Sequence, residues 1–450
     1  MRLCDSETVR LRSFIAAFLL AFACARAEKR VILVGLDGAD WRLLDRFVAD
    51  GTMPRLGEIL QRAERRVLLT QHPPLSPLVW TTMMTGVSPL EHRILDFTRF
   101  HPRTRQQEPI TSDERAVPAI WNMVEAHGKR AGVFGMWATY PAEPGIVMTD
   151  RDVPSADFFQ AATDVIHKRA TEFIAKKKPH LAVVYFRGTD EIGHLTAGDI
   201  EKSRAYFHHI DKILGDYRAL AEKLDAELVI ASDHGFDWGG SHDESSTATA
   251  SAAKWHRNEG VYLRWPRERA TRETIRVDQI CGMLLEMLDV PKEGGLPARH
   301  ARGTSAPQDE AIAKLKALGY LGSTAPAPAN AAGTRTPQSF NNEGLILREA
   351  GRVDEAERAF VHALALDASY ASARQNLDDL LATRGVKRLR ANDCRGAVAD
   401  LRRIAKESAL LWASIAAAEG CLGNERAAED AVRKSLALDP NQPELRRLVD

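Results

Sequence analysis

Short runs of consecutive apolar residues, separated by amphipathic stretches of helical length, place the strongest constraint on the fold of this chain. Three such runs span residues 30–35, 181–186 and 227–232. A run that is apolar at almost every position is typical of a strand buried on both faces, as in a parallel sheet covered by helices. Alternation of such strands with helices is the pattern of βα units. We therefore predict an α/β fold with a mostly parallel central sheet flanked by helices.

Acidic and histidine side chains lie close to the ends of the predicted strands, and six of them stand out: Asp37, Asp190, His194, Asp233, His234 and His256. Open α/β sheets bind their ligands beyond the carboxyl ends of the strands. Three carboxylates and three imidazoles are about the number of protein ligands that two tetrahedral zinc sites need, if a hydroxyl or water fills the remaining positions. Any one of these residues alone is better explained by an ordinary structural role. Together they predict two divalent metal ions, with Zn²⁺ the expected metal.

A hydroxyl group lies at the predicted start of a helix, where Ser76 takes the N-cap position and Pro77 the first helical position. Free backbone N–H groups and the positive end of the helix dipole make this environment suitable for a phosphate. The alternative interpretation is an N-cap with no chemical role. Thr81 and Thr82 remain alternative nucleophiles, but a helix that starts at Pro77 places them a turn or more from the anion-binding end.

The first 27 residues are typical of a secretory signal peptide. Two arginines precede an apolar run at residues 14–23, and Ala25-Arg26-Ala27 matches a small-x-small cleavage site. We therefore expect an exported protein, periplasmic or extracellular; a buried N-terminal helix is the alternative. We expect no lipid anchor at Cys24, because the residues before it match a lipoprotein cleavage box poorly. The acidic residues near the N-terminus leave open a translation start further along the chain.

Composition excludes several other classes of protein. The chain has 450 residues and a formal net charge of zero, so nothing indicates nucleic acid or an anionic membrane as the main partner. After residue 28, no stretch approaches the ~18 apolar residues of a transmembrane helix, so none is expected in the mature chain. Beyond the leader, Cys281, Cys394 and Cys421 form an odd, widely spaced set that predicts neither a metal site nor a disulfide framework.

The ordered set of motifs resembles the alkaline phosphatase superfamily, most closely its type I phosphodiesterase and nucleotide pyrophosphatase branch. The resemblance covers about residues 30–320 and is carried by Asp37-Gly38, the Ser76 loop before Thr85-Gly86, Asp190 with His194, Asp233-His234, and His256. It implies an alkaline-phosphatase-like fold and two zinc ions. One zinc would be held by Asp190, His194 and His256, and the other by Asp37, Asp233, His234 and the nucleophilic hydroxyl of Ser76.

The resemblance implies a hydrolase that cleaves phosphodiester bonds through a phosphoseryl intermediate. Two positions depart from the family pattern: Val79 replaces an Asn that helps to bind the phosphoryl group, and Arg93 replaces a Gly. Ser76-Pro77-Leu78 lacks the motif that sulfatases need. A phosphomonoesterase or phosphotransferase on the same metal site remains an alternative, because the ligands do not reveal how many ester bonds the substrate carries. A scaffold whose hydrolase domain has lost its activity is the other alternative.

The C-terminal part of the chain contains an internal repeat. Residues 351–367 and 423–439 share a pattern at an offset of about 72 residues, two units slightly longer than the 34-residue tetratricopeptide repeat. Residues 393–404 fit a degenerate copy between them. This region resembles a tetratricopeptide array, an all-α solenoid whose concave face usually binds a protein partner. A generic helical tail is the alternative.

Residues 322–337 are rich in Ala, Pro, Thr and Gly, a composition typical of a flexible linker. The predicted organisation is therefore a signal peptide at residues 1–27, a phosphodiesterase-like domain at 28–322, a linker at 323–337 and a repeat domain at 338–450. A phosphate ester is the expected substrate.

Overall fold

The computed structural model describes residues 28–153, 159–239, 255–267, 273–292, 312–313, 315–316, 326–328 and 333–448. The predicted signal peptide lies outside these residues, as does most of the predicted linker. Among the residues that the structure describes, no helix is both long enough and apolar enough to span a membrane.

Strands β1 to β12 follow one another along the first part of the chain, and eight of them form one sheet in the order β12-β2-β11-β8-β1-β7-β5-β6. The strands are β1 (Arg30–Leu36), β2 (Glu64–Leu69), β3 (Thr98–Phe100), β4 (Gln107–Pro109), β5 (Ala131–Phe134), β6 (Ile146–Met148), β7 (Leu181–Phe186), β8 (Ala226–Ala231), β9 (Gly235–Phe236), β10 (His256–Arg257), β11 (Glu259–Trp265) and β12 (Thr274–Arg276). In the large sheet, β11 is antiparallel to its neighbours β2 and β8, and the other pairs of described strands are parallel. The predicted mostly parallel sheet is confirmed.

Helices cover both faces of this sheet. They are α1 (Trp41–Ala49), α2 (Pro54–Leu60), α3 (Ser76–Thr85), α4 (Pro89–His92), α5 (Ile120–Ala126), α6 (Phe159–Lys177), α7 (Gly188–Thr196), α8 (Ile200–Leu224) and α9 (Ile280–Met287). Alternate residues of β1 enter two separate cores: Ile32 and Val34 pack with α1, α2, α6 and α8, whereas Val31 and Leu33 pack with α3, α5 and α9. Burial on both faces explains why the strand is apolar throughout.

The start of α3 differs from the prediction by one residue. Leu75, with an extended backbone, is the N-cap, and Ser76 is the first helical residue rather than the cap. Pro77 remains in the first turn, where the missing N–H would have no helical partner. The predicted N-cap role of Ser76 is therefore wrong, because its hydroxyl is directed towards an acidic side chain of the sheet edge and not towards the helix backbone.

An all-helical region follows, formed by α10 (Pro337–Glu349), α11 (Val353–Leu366), α12 (Ala371–Arg390), α13 (Cys394–Leu401), α14 (Ala409–Cys421), α15 (Glu425–Leu438) and α16 (Pro443–Arg446). Consecutive helices pack in pairs, α10 with α11, α12 with α13 and α14 with α15. Buried apolar clusters join neighbouring pairs. These helices bury their apolar faces against one another, as stacked helical repeats do.

A disulfide bond joins Cys394, at the start of α13, to Cys421, at the end of α14. The prediction that the cysteines form no disulfide framework is therefore wrong for this pair. The residues are 27 positions apart, but packing of α13 against α14 brings their Cα atoms to 6.1 Å, within the range for a disulfide. Cys281 is a buried free cysteine.

The chain that leads into α10 is hydrogen-bonded to the β3–β4 hairpin. The N–H of Phe100 donates to the carbonyl of Thr334 at 2.6 Å. The Arg105 side chain donates to the carbonyl of Gly333 at 2.7 Å. Residues 333–336 are therefore attached to the α/β domain, and they fix the position at which the helical region begins.

Candidate metal centre

The structure brings the seven predicted site residues together beside the large sheet: Asp37, Ser76, Asp190, His194, Asp233, His234 and His256. Six of them form two groups of potential metal ligands. The first group is Asp37, Asp233 and His234, and the second is Asp190, His194 and His256. Within each group, the ligand atoms lie within 4.8 Å of one another.

Neighbouring parallel strands explain this convergence. Strands β7 and β8 both pair with β1 and run in the same direction, so Asp37, Asp190 and Asp233 leave the sheet at the same edge. His194 follows Asp190 by one turn of α7 and reaches the same space. His256 comes from β10, whose antiparallel pairing with β9 returns the chain to the site.

The first group is fully buried and crowded with oxygen and nitrogen atoms. His234 Nε2 lies 3.3 Å from Asp37 Oδ1 and 3.4 Å from Asp233 Oδ2. His234 Nδ1 lies 3.0 Å from the carbonyl of Gly235, an arrangement in which Nδ1 carries a proton and Nε2 faces the carboxylates, where it could bind a metal ion with them. Among the described residues, neither His234 Nε2 nor Asp233 Oδ2 makes a hydrogen bond. This donor set fits a divalent metal ion such as Zn²⁺.

The second group also brings a carboxylate and two imidazole rings close together. Asp190 lies 3.3 Å from His194 Nε2 through one oxygen and 3.5 Å from His256 Nε2 through the other. The two Nε2 atoms are 3.1 Å apart. His256 Nδ1 lies 2.7 Å from the carbonyl of Pro74, and this contact orients the ring so that Nε2 faces Asp190 and His194. Two imidazole nitrogens that face each other across a carboxylate also fit a metal ion.

Burial and neighbouring charges raise the pKa values of Asp233 and His234 and lower that of His256. Burial and the charge of Asp37 raise the pKa of Asp233 well above its usual value. Burial lowers the pKa of His234, but the neighbouring carboxylates outweigh it and raise that pKa to about 10. Burial and the charge of His234 lower the pKa of His256 to about 4. Without a cation, protons must therefore offset the negative charge of the first group, and a bound metal would displace them.

Of the candidate nucleophiles Ser76, Thr81 and Thr82, Ser76 has the hydroxyl that reaches the ligands. Ser76 Oγ is buried and lies 3.2 Å from Asp37 Oδ1. The hydroxyl of Thr81 donates to a backbone carbonyl of its own helix at 2.6 Å. The hydroxyl of Thr82 lies 3.0 Å from His92 Nε2. Of the three hydroxyls proposed as nucleophiles, the structure thus brings Ser76 to the metal ligands and directs the other two elsewhere.

The start of α3 offers fewer free N–H groups than the sequence suggested. The N–H groups of Leu78 and Val79 both donate to the carbonyl of Leu75 at 3.0 Å, and Pro77 has none. The Val79 side chain, at the position of the family's Asn, is fully buried in the apolar core. Arg93 keeps the positive φ, 70°, that a Gly would adopt. An anion at this site would therefore depend mainly on cations for its binding.

Sequence reasoning missed the residues that hold Asp37 in place. The hydroxyl of Tyr185 donates to Asp37 Oδ2. The indole N–H of Trp137 donates to the Tyr185 hydroxyl at 2.6 Å. The hydroxyl of Thr189 donates to the backbone carbonyl of Asp37 at 2.5 Å. The only available signal was a single hydroxyl-bearing residue, Tyr185, in the otherwise apolar run of β7.

Comparison with known proteins gives one family match and several distant structural similarities. The profile of the family "Type I phosphodiesterase / nucleotide pyrophosphatase" matches residues 31–273, more than half of the chain. No curated protein sequence matches the chain. Murine ectonucleotide pyrophosphatase / phosphodiesterase 5 is 14% identical, with a TM-score of 0.45 over 59% of this chain and 98% of that one. The human counterpart is 15% identical, with a TM-score of 0.45 over 60% and 97%. Phosphonoacetate hydrolase from Sinorhizobium meliloti, in complex with phosphonoacetate, is 17% identical, with a TM-score of 0.39 over 47% and 57%.

Proposed function

Because the chain belongs to the type I phosphodiesterase / nucleotide pyrophosphatase family of phosphoric ester hydrolases, we propose that it cleaves phosphodiesters with Ser76 as the nucleophile. The single observation that carries this proposal is the position of Ser76 Oγ, 3.2 Å from Asp37 within the buried ligand set. A serine hydroxyl is a weak nucleophile by itself, so it needs a group that lowers its pKa. Because Ser76 Oγ lies beside a metal ligand, a bound metal ion would lie close enough to lower the pKa of this hydroxyl.

Two divalent cations, with Zn²⁺ expected, would be held by the two groups of ligands, one with Ser76 as a further ligand. When bound, such cations neutralise the anionic oxygens of a phosphate ester, lower the pKa of an attacking hydroxyl and stabilise the leaving oxygen. The chain itself supplies the geometry. Tyr185 and Thr189 hold Asp37, and the carbonyls of Pro74 and Gly235 orient His256 and His234.

The reaction proposed for the chain has two displacement steps. Ser76 Oγ loses its proton and attacks phosphorus, a phosphoseryl bond forms, and the alcohol on the opposite side leaves. Water then attacks the phosphoseryl group and restores the serine hydroxyl. Because each in-line step inverts phosphorus, the product retains the configuration of the substrate. A chiral phosphorothioate or isotopically chiral diester tests this directly, and inversion would contradict the covalent route.

The helical region is proposed to be a tetratricopeptide array that binds a protein partner. The internal repeat, the three helix pairs and a cavity of about 600 Å³ support this proposal. The cavity is lined by apolar residues together with charged ones such as Arg348, Lys387 and Asp379. The disulfide between Cys394 and Cys421 suits an oxidising compartment, which agrees with the proposed export of the protein.

The first experiment is hydrolysis of bis(4-nitrophenyl) phosphate and of 4-nitrophenyl phosphate by zinc-loaded protein. Diester turnover that is lost in Ser76→Ala and in Asp233→Ala supports the proposal. Preferred turnover of the monoester would favour the phosphomonoesterase alternative on the same site. Two bound zinc ions with no turnover of either ester would favour a scaffold and direct attention to the helical repeats.

A further inference from the structure

The first helix of the helical region packs against the segment that carries the nucleophile. Leu75 and Leu78, which lie on either side of Ser76 in the sequence, belong to a buried apolar cluster. Ile346 of α10 packs against this cluster. The cluster also contains Phe97, from the segment between α4 and β3. The backbone around Ser76 is therefore supported by a side chain more than 250 positions further along the chain.

A second set of contacts joins the start of α10 to Asp37. The hydroxyl of Thr336, the N-cap of α10, donates to the fully buried carboxyl of Asp96 at 2.5 Å. The next residue, Phe97, packs edge-on against Trp137 with ring centroids 5.4 Å apart. Trp137 in turn donates to Tyr185, the residue that holds Asp37. Close-packed side chains transmit small displacements because they leave no free volume to absorb them.

We propose that helix α10 is a positioning element of the active site, with Ile346 setting the place of Ser76 and Thr336 supporting Asp37. This inference rests on the proposed function, since it assigns a role in the same reaction. An in-line attack depends on the distance and alignment of the hydroxyl, and a misplacement of about 1 Å can cost a large factor in rate. The helical region is then part of the catalytic unit and not only a module for binding a partner.

The same helix also contributes to the cavity of the helical region. Arg348, two residues after Ile346, lines that cavity. Helix α10 therefore lies between the proposed partner site and the nucleophile, and it contacts the surroundings of both.

The test for Ile346 uses full-length, zinc-loaded protein. Ile346→Ala removes most of the packing against the apolar cluster that contains Leu75 and Leu78, and Ile346→Val retains most of it. Ile415→Ala is the matched control, because Ile415 is a buried isoleucine in the cluster of the last helices. We expect Ile346→Ala to lower kcat about tenfold with KM within about twofold, Ile346→Val to restore most of kcat, and Ile415→Ala to leave both unchanged.

The test for Thr336 compares loss of its two hydrogen bonds with loss of a helix cap elsewhere. Thr336→Val removes both the bond to Asp96 and the cap of α10, whereas Thr336→Ser keeps both. Ser408→Ala removes a comparable cap, that of α14, at a distance from the site. We expect a several-fold loss of kcat in Thr336→Val only. An equal loss in Ser408→Ala would overturn the assignment of Thr336.

A readout that does not need turnover keeps this inference separate from the proposed function. Hydrogen–deuterium exchange of the peptide that spans residues 70–80 should become faster in Ile346→Ala and stay unchanged in Ile415→Ala. If the wild-type protein turns over no ester, the proposed function fails, and the exchange rates alone decide this inference. Equal changes of kcat or exchange in Ile346→Ala and Ile415→Ala, or no change in Ile346→Ala, would overturn it.

Discussion

Ser76 Oγ lies 3.2 Å from Asp37 Oδ1, although the two residues are 39 positions apart. Asp37 follows the central strand β1, and Ser76 begins α3, which packs directly on that strand. Gly35 permits this close packing, because a Cβ atom there would lie only 2.7 Å from the ring of Trp80. The sheet core therefore fixes the distance between the hydroxyl and the carboxylate, and the geometry of the site is a consequence of how α3 packs.

Removal of the Ser76 hydroxyl should abolish catalysis without loss of structure. We expect Ser76→Ala to lower kcat by about 10³-fold or more, because it removes the attacking oxygen. Thr81→Val is the matched control: its hydroxyl donates to its own helix, so kcat should stay within about threefold of wild type. Steady-state kinetics with a chromogenic diester measures both. Retention of most activity in Ser76→Ala would contradict the assignment of the nucleophile.

Loss of the Tyr185 hydroxyl should weaken metal binding. Tyr185 donates to Asp37, so Tyr185→Phe frees this ligand, and we expect the affinity for one zinc ion to fall by about 10–100-fold. Tyr262→Phe is the matched control, because the Tyr262 hydroxyl is buried in the same core without a hydrogen-bond partner among the described residues. Calorimetric titration of the metal-free proteins with Zn²⁺ measures the difference. Equal affinities in the two variants would show that Tyr185 is only a core residue.

The part of the site that follows from local sequence was predictable, and the part that depends on side chains meeting across the fold was not. Asp37, Asp190 and Asp233 could be placed together because adjacent parallel strands end at one edge. Tyr185 could not be assigned a role, because an aromatic residue in an apolar strand looks like any core residue. The Cys394–Cys421 bond depends on how two helices pack, which no spacing rule reveals.

The sequence also did not predict the contact between the α/β domain and the helical region. Composition predicted a flexible linker at residues 323–337, and composition does not show which segment a chain will dock against. Asp96 and Thr336 are 240 positions apart, and neither belongs to a recognisable motif. Their buried hydrogen bond depends on the β3–β4 hairpin and on the start of α10, two features that only the folded chain brings together.

The disulfide should stabilise the helical region. Closing a loop between residues 27 positions apart removes conformational entropy from the unfolded chain, for which the loop-entropy relation gives about 3.5 kcal/mol. We expect the double variant Cys394→Ser/Cys421→Ser to lose up to about this free energy of unfolding, measured by urea denaturation monitored through the helical circular dichroism signal. Dithiothreitol should destabilise the wild-type protein and leave the double variant unchanged. Equal sensitivity of both proteins to reductant would contradict the prediction.

Asp96 lies at the junction between the α/β domain and the helical region. Its carboxyl should make the free energy of unfolding depend on pH. Burial raises the pKa of Asp96 to about 6, against hydrogen bonds from Thr336 and the Phe97 N–H that lower it. The folded state therefore favours the protonated carboxyl. The free energy of unfolding that this preference contributes is fully present below about pH 4 and is lost as the pH rises through 6. The loss is about 3 kcal/mol for a shift of about 2 pKa units.

Urea denaturation between pH 4 and pH 7.5 tests this expectation by comparison of wild type with Asp96→Asn. The asparagine cannot ionise, so the unfolding free energy of the variant relative to wild type should increase by about 3 kcal/mol across that range. The metal ligands titrate alike in both proteins, and the difference between them isolates Asp96. Asp430→Asn, at an exposed position of α15, is the control and should show no such trend. A constant difference between Asp96→Asn and wild type would mean that the folded protein does not raise the pKa of this carboxyl.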